Sequence, residues 1–141
     1  MMESKALSFE TGLVSYNLNG KVELVFNPTD AVFVERLYNA FEALDKLQET
    51  IKADTAKLGM RELFDTARKR DAEMRELIDG ALGAPVCEAL FGDMNVYAMA
   101  NGAPVWANLL LAIMDEVDRG VTEEHGKVPE RIRKYSQKYK K

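Results

Sequence analysis

The chain has 141 residues, of which 47% are hydrophobic and 30% are charged, and its formal net charge at pH 7 is −4. This length and composition indicate one globular domain. A single cysteine excludes an internal disulfide framework and suits a reducing compartment. The opening residues, MMESKALSFE, lack the basic region and the apolar run of a secretory signal.

Charge is distributed unevenly along the chain. Residues 127–141 contain seven basic side chains and one acidic one, which leaves residues 1–126 with 12 basic and 22 acidic side chains and a formal charge of −10. We expect residues 127–141 to form a solvated basic tail or helix. Although tyrosines alternate with its cations, the acidic body would repel phosphates, which argues against general nucleic-acid binding.

The first predicted element is a β-hairpin over residues 13–26. Apolar and polar residues alternate on both sides of an Asn-Gly pair. A two-residue turn would put the two apolar sets on opposite faces, so we predict a three-residue loop over 18–20, with its glycine left-handed and Tyr16 opposite Val22. Residues 6–9 are a candidate further strand.

Four helices follow in the predicted order. The first has Asn27 as its N-cap and Pro28 in its first turn, and its apolar positions recur with helical spacing. The second is densely charged and ends at glycines followed by Pro85, and the fourth begins at Pro104. The predicted helices cover about 28–53, 59–82, 85–91 and 104–118.

An uncharged stretch lies between Asp93 and Asp115, and its length suits a membrane span. Its Asn-Gly-Ala-Pro turn signature at 101–104 leaves roughly 14 residues for a continuous helix, fewer than the roughly 20 that a span needs. We therefore predict no membrane segment. The apolar residues of this helix cover most of its circumference, which indicates a position in the core or a surface shared with another chain.

Most classes of enzyme chemistry find no support among the residues. His125 lies in a predicted linker over 120–127, and one His with one Cys is a poor basis for a closed zinc site. Cys87 is predicted to be a small buried hydrophobic residue. The many carboxylates, from Asp71 and Asp79 to Asp118, are predicted to form a solvated face. No catalytic, metal or cofactor site is predicted.

Large apolar residues are concentrated around the uncharged stretch. They are either ordinary core residues or a surface for a partner, since methionines adapt their shape to varied partners. The candidate partner-binding residues are Phe91, Met94, Tyr97, Met99 and Trp106.

The run ALFGDMNVYAMANGAPVWANLLLAIMDEV, preceded by AEMRELIDGALG, resembles the tail assembly chaperones of siphophages and prophages, and the likeness is strongest over residues 71–118. The resemblance implies a non-enzymatic protein in the cytoplasm of the bacterial host. Such a protein would bind the tape-measure protein, keep it soluble, help to recruit tail-tube subunits and be absent from the mature virion. The alternative is a structural tail or head–tail connector component of the virion.

These observations predict an α+β fold that is mostly α, in which the N-terminal hairpin packs on a bundle of about four helices. Residues 1–126 would form the single globular domain, with the basic tail outside it. The outer strand of the hairpin would offer an open edge, so self-association by strand addition is also expected.

Overall fold

The structure is a computed structural model that describes residues 2–127 and 130–138. The predicted fold class is confirmed, since the described residues are mostly helical and begin with an antiparallel hairpin. The elements, in chain order, are β1 (Val14–Leu18), β2 (Val22–Phe26), α1 (Ala31–Lys57), α2 (Met60–Leu82), α3 (Cys87–Phe91), β3 (Met99–Ala100), β4 (Ala103–Pro104), α4 (Val105–His125) and α5 (Glu130–Lys138).

The hairpin buries one face, as predicted, but its register differs from the prediction. Tyr16 lies opposite Leu24, rather than Val22, and residues 19–21 form the loop. The N–H of Lys21 donates to the Leu18 carbonyl at 3.0 Å. Asn19 and Gly20 of the loop have φ angles of 54° and 70°. Because asparagine tolerates the left-handed region, the turn starts one residue later and keeps Leu18 in the strand.

Residues 2–13, the N-terminal arm, contain no strand, so the strand predicted over 6–9 is wrong. Leu7 and Phe9 are 86% and 76% exposed. The arm is attached to the base of the hairpin through Asn27, whose Nδ2 donates to the Thr11 carbonyl at 2.9 Å. The arm therefore presents apolar side chains to solvent just before β1.

The first helix starts three residues later than predicted and ends four residues later. Its N-cap is Asp30, whose carboxylate accepts a hydrogen bond from the Val32 N–H at 3.0 Å. Asn27 instead closes the preceding turn, because its Oδ1 accepts the Thr29 N–H at 2.8 Å. Both side chains are N-cap types, and the second of them begins the helix.

Helices α1 and α2 form an antiparallel pair joined by two residues. Leu44, Met74 and Ile78 are completely buried between them and their neighbours. The pair is also joined near its connection by an ion pair between Arg70 and Asp54. Antiparallel packing follows from the short connection, which leaves the second helix no other direction in which to bury its apolar stripe.

The hairpin covers one side of α1 through a continuous aromatic stack. The ring of Phe26 lies between those of Tyr16 and Phe33, with centroid separations of 4.6 and 4.4 Å. Leu24 is buried beside it at 1% exposure. The hairpin therefore completes the core, as expected for offset-stacked aromatic residues that remove large apolar areas from water.

The second and third helices lie close to their predicted bounds. Gly83 caps α2 with φ 69°, whereas Gly80 lies inside the helix. The third helix begins two residues after Pro85, at Cys87. The ends of both helices were thus predictable from the glycine and proline signals.

Helix α4 continues seven residues beyond its predicted end at 118, so the predicted linker over 120–127 is largely helical and His125 lies in its last turn. Gly120 does not end the helix, because an interior glycine costs only about 1 kcal/mol relative to alanine. Here it makes room for a neighbour, since a Cβ at Gly120 would lie 2.6 Å from Cγ of Pro28. The helix thus packs closely against the segment that precedes α1.

The uncharged stretch is divided by a second, very short hairpin. Strands β3 and β4 pair around the turn predicted at 101–104, and its Asn101 and Gly102 have φ angles of 55° and 83°. Across the described ranges, no helix is long and apolar enough to cross a membrane. The predicted basic helix is present as α5, whereas Pro129 and residues 139–141 lie outside the described residues.

Candidate partner-binding groove

An open apolar groove of about 560 Å³ lies where the tip of the first hairpin meets α3, the second hairpin and the start of α4. Its walls come from four separate parts of the chain. The lining residues are Asn17, Leu18, Asn19, Lys21, Leu90, Phe91, Met94, Ala100, Val105, Asn108, Leu109 and Ala112.

One wall of the groove is held in place by α2 through Asp71 and Arg75. Arg75 pairs with the Asp71 carboxylate at 2.9 Å and donates to the carbonyls of Gly92 and Met94 at 2.6 and 2.8 Å. The other oxygen of Asp71 accepts the Val96 N–H at 2.7 Å. These charge-assisted bonds fix an otherwise irregular segment, so the backbone position of Met94 is set by the second helix.

One helical turn further along α2, Asp79 caps the third helix. A single carboxylate oxygen of Asp79 accepts the backbone N–H groups of Val86 and Cys87 at 3.0 and 3.1 Å. This long-range cap satisfies donors that have no partner within α3. The prediction of a solvated acidic face is therefore wrong for Asp71 and Asp79, whose carboxylates bind backbone groups.

The start of α4 forms the opposite wall and is fixed by the second hairpin. The N–H groups of Val105 and Trp106 donate to the carbonyls of Ala98 and Val96 at 2.8 and 3.0 Å. Asn108 donates its side-chain amide to the Ala100 carbonyl at 3.0 Å. Because these bonds satisfy the first donors of α4, the helix and the hairpin form a connected wall.

The structure separates the five candidate residues. Phe91 and Met94 line the groove, and the side chain of Met94 is 46% exposed. Met99 is 63% exposed on β3 but does not line the groove. Tyr97 is half-buried in a different cavity, between α1 and α2.

Trp106 belongs to the core, which is the first of the two alternatives considered for these residues. Its side chain is 1% exposed. Its Nε1 donates to Oε1 of Gln48 at 3.0 Å, and its ring meets Phe41 edge-on at a centroid distance of 5.2 Å. A buried indole with a satisfied N–H acts as a packing element.

Several groove residues come from the hairpin tip, which sequence reasoning did not connect with the uncharged stretch. Leu18 and Lys21 lie more than 60 residues before Phe91, and the Lys21 ammonium donates to the Leu90 carbonyl at 3.5 Å. Two local signals were available, namely the exposed turn and the apolar residue beside it. Neither of them indicates which distant element the tip contacts.

The groove differs in charge from the rest of the acidic body. Among the described residues that line it, Lys21 is the one charged side chain, three are asparagines and none is a carboxylate. A larger cavity of about 790 Å³ lies between the N-terminal arm and α4, and its charged lining residues are Glu10, Glu116, Arg119, Glu123, Glu124 and Lys127. The groove is therefore suited to an apolar ligand that carries neutral or negative groups at its edge.

Neither Cys87 nor the carboxylates form a recognisable reactive centre in the described part of the chain. Cys87 is 1% exposed, and its pKa is raised, first by burial and then by a hydrogen bond with Asp79. Burial keeps the thiol neutral, as expected for the small buried residue predicted from the sequence. Within residues 2–127 and 130–138, no three His, Cys, Asp or Glu side chains converge as metal ligands.

Comparisons of the chain with protein-family models, with curated proteins and with solved structures return no match. The walls of the groove are held by hydrogen bonds from α2 and at the start of α4, and its rim carries the half-exposed side chain of Met94.

Proposed function

We propose that the protein is a non-enzymatic assembly chaperone that binds an apolar helical segment of a partner in this groove. The observation that carries the proposal is an open apolar groove without carboxylates in an otherwise acidic body. An amphipathic helix can place its apolar face in such a groove, with its polar face remaining in water.

The groove combines fixed and adaptable parts. Its floor includes Leu90, which is buried, and its walls are held by hydrogen bonds from α2 and the second hairpin. Met94 is half-exposed at the rim, where a thioether side chain adapts to different apolar surfaces. This arrangement suits a partner that offers many similar apolar turns rather than one specific residue.

The resemblance noted in the sequence gives the proposed partner a class. A phage tape-measure protein is long, helical and apolar, and a chaperone that covers it would keep it soluble until tail-tube subunits assemble. We place the protein in the cytoplasm of the bacterial host during assembly and expect it to be missing from purified virions. Mass spectrometry of virions tests that expectation, since a stoichiometric signal would favour the structural tail component.

Co-expression with the protein encoded immediately downstream tests the function directly. The expected result is that a large helical protein, insoluble when expressed alone, becomes soluble and co-elutes with this chain in size-exclusion chromatography. A Met94→Glu variant should lose the partner, because it places a charge on the rim of an apolar groove.

Met60→Glu is the matched control for this variant. Met60 is 69% exposed at the first position of α2, far from the groove lining, and an acidic residue there suits the helix start. The control should retain the partner fully. Equal retention by both variants would contradict the groove as the binding site, and an unaffected downstream protein would contradict the chaperone function.

A further inference from the structure

The N-terminal arm carries a set of apolar side chains that the fold leaves uncovered. Leu7, Phe9 and Leu13 are 86%, 76% and 62% exposed, and Leu7 and Phe9 are separated by one residue. Consecutive residues of an extended chain point in opposite directions, so such side chains lie on one face of an extended segment. Leu7 and Phe9 would therefore share one face where the arm is extended, whereas the left-handed Gly12, with φ 74°, separates them from Leu13.

The groove complements this face in both polarity and charge. Its lining is mainly apolar, and its charged residue is Lys21. In the arm, Glu10 directly follows Phe9, so a seated Phe9 ring would bring a carboxylate to the rim. Opposite charges at the edge of an apolar contact favour one orientation of the two segments.

The arm of a given chain is poorly placed to fill its own groove. Thr11 is bonded to Asn27 at the base of the hairpin, whereas the groove lies at the hairpin tip. From Val14 to Leu18 the strand spans about 13 Å. Phe9 lies two residues from the Thr11 anchor, so its backbone can be at most about 7 Å from that anchor. This reach is shorter than the strand that separates the anchor from the groove.

We infer that this protein self-associates by placing the N-terminal arm of one copy in the groove of a second copy, with Phe9 and Leu7 against the apolar walls and Glu10 near Lys21. Reciprocal exchange would close a dimer, whereas one-way exchange would build longer assemblies. The inference concerns the protein alone and can fail or succeed independently of the proposed chaperone function. If the self-association and the chaperone function are both correct, the arm and the partner segment compete for the same groove.

Size-exclusion chromatography with light scattering, over a series of protein concentrations, tests the association. The wild-type chain should show species of two or more copies that dissociate on dilution. The double variant Leu7→Ser with Phe9→Ser should weaken association at least about tenfold, since it removes two large apolar side chains from the contact. Both residues are exposed in the monomer, so the fold should be unaffected.

Val32→Ser with Met60→Ser is the matched control, because these residues are 65% and 69% exposed but lie on α1 and α2. It should associate as the wild type does. A wild-type chain that stays monomeric at every concentration would overturn the inference, and so would an association that the arm variant leaves unchanged.

Mixing two defective chains gives a sharper test of which surfaces meet. The arm variant retains an intact groove, and Met94→Glu retains an intact arm, so each should be monomeric alone while a mixture forms a complex. Lys21→Glu and Glu10→Lys should each weaken association, and the two changes combined in one chain should restore it. Failure of both the mixture and the charge exchange would show that the arm binds elsewhere.

Discussion

The uncharged stretch contains two regions of similar composition that lie in different environments. Residues 94–102 form a loop and half of a hairpin, with Met94 and Met99 about half-exposed or more. Residues 105–114 begin α4, where Trp106 and Leu110 are each 1% exposed. The first region is held mainly by polar bonds from α2, and the second by packing. Apolar composition alone therefore does not distinguish a core helix from the wall of a groove.

The packed region should be the more sensitive to truncation. Trp106→Ala is expected to destabilise the fold by about 3–5 kcal/mol, because it leaves a large cavity beside Phe41 and removes the donor that Gln48 accepts. Urea denaturation followed by far-UV circular dichroism measures the effect. Fluorescence is unsuitable for this variant, because Trp106 is the single tryptophan of the chain.

Trp106→Phe is the control for that change. It keeps an aromatic ring in the cavity and loses mainly the hydrogen bond, so the expected cost falls to about 1–2 kcal/mol. A loss below about 1 kcal/mol in the alanine variant would contradict the buried position of the indole.

The loop region should be most sensitive at its polar attachments. Asp79→Ala removes the carboxylate that accepts two N–H groups at the start of α3, and it is expected to destabilise this segment by about 1–2 kcal/mol. Cys87 reports the opening locally, because its thiol is buried and is the only one in the chain. A thiol reagent should therefore react faster with the variant than with the wild type.

Asp79→Asn provides the matched control, since its side-chain carbonyl can accept the same N–H groups. Its thiol should react more slowly than that of the alanine variant, although both variants lose the carboxylate that helps to raise the pKa of Cys87. Equal reactivity in all three chains would show that Asp79 does not hold the third helix, whereas equal acceleration by alanine and asparagine would indicate that the negative charge is essential.

The regular elements were predictable because their signals are local. Gly83 and Pro85 marked the end of α2, and the alternation in the hairpin identified its buried face. Misplaced boundaries occurred where two residues carry the same signal, as with Asn27 and Asp30 at the start of α1. The predicted end of α4 was too early because Gly120 was interpreted as the start of a linker, whereas it lies inside the helix and allows close contact with Pro28.

The groove could be predicted only in part. Phe91 and Met94 belong to one local apolar run, and that run indicated a possible surface. The spacing of Asp71, Arg75 and Asp79 along α2 is also what a solvated salt-bridged helix face would show. Asp71 and Arg75 do pair with each other, and all three side chains also bind backbone groups up to 25 residues away. The tertiary fold decides which distant backbone groups form hydrogen bonds with these side chains, and the local sequence pattern does not show it.

The turn at the end of the first region should contribute about as much as the Asp79 cap. Gly102→Ala is expected to cost about 1–2 kcal/mol, because a residue at φ 83° with a Cβ is strained even though that Cβ would meet no atom within 4 Å. Gly80→Ala in α2 should instead stabilise the fold by about 0.5–1 kcal/mol. Thermal unfolding of the two variants should show shifts of opposite sign, and shifts of the same sign would contradict the turn geometry.

The smallest effects on stability are expected at the exposed methionines. Met94→Ser and Met99→Ser should each change the free energy of unfolding by less than about 0.5 kcal/mol, since neither side chain is buried. Their effects on binding should differ, because Met94 lines the groove and Met99 does not. Co-elution with the downstream partner should fall for Met94→Ser and remain for Met99→Ser. If both variants lose the partner equally, the binding surface extends beyond the groove onto β3, and the exposed face of the second hairpin becomes part of the site.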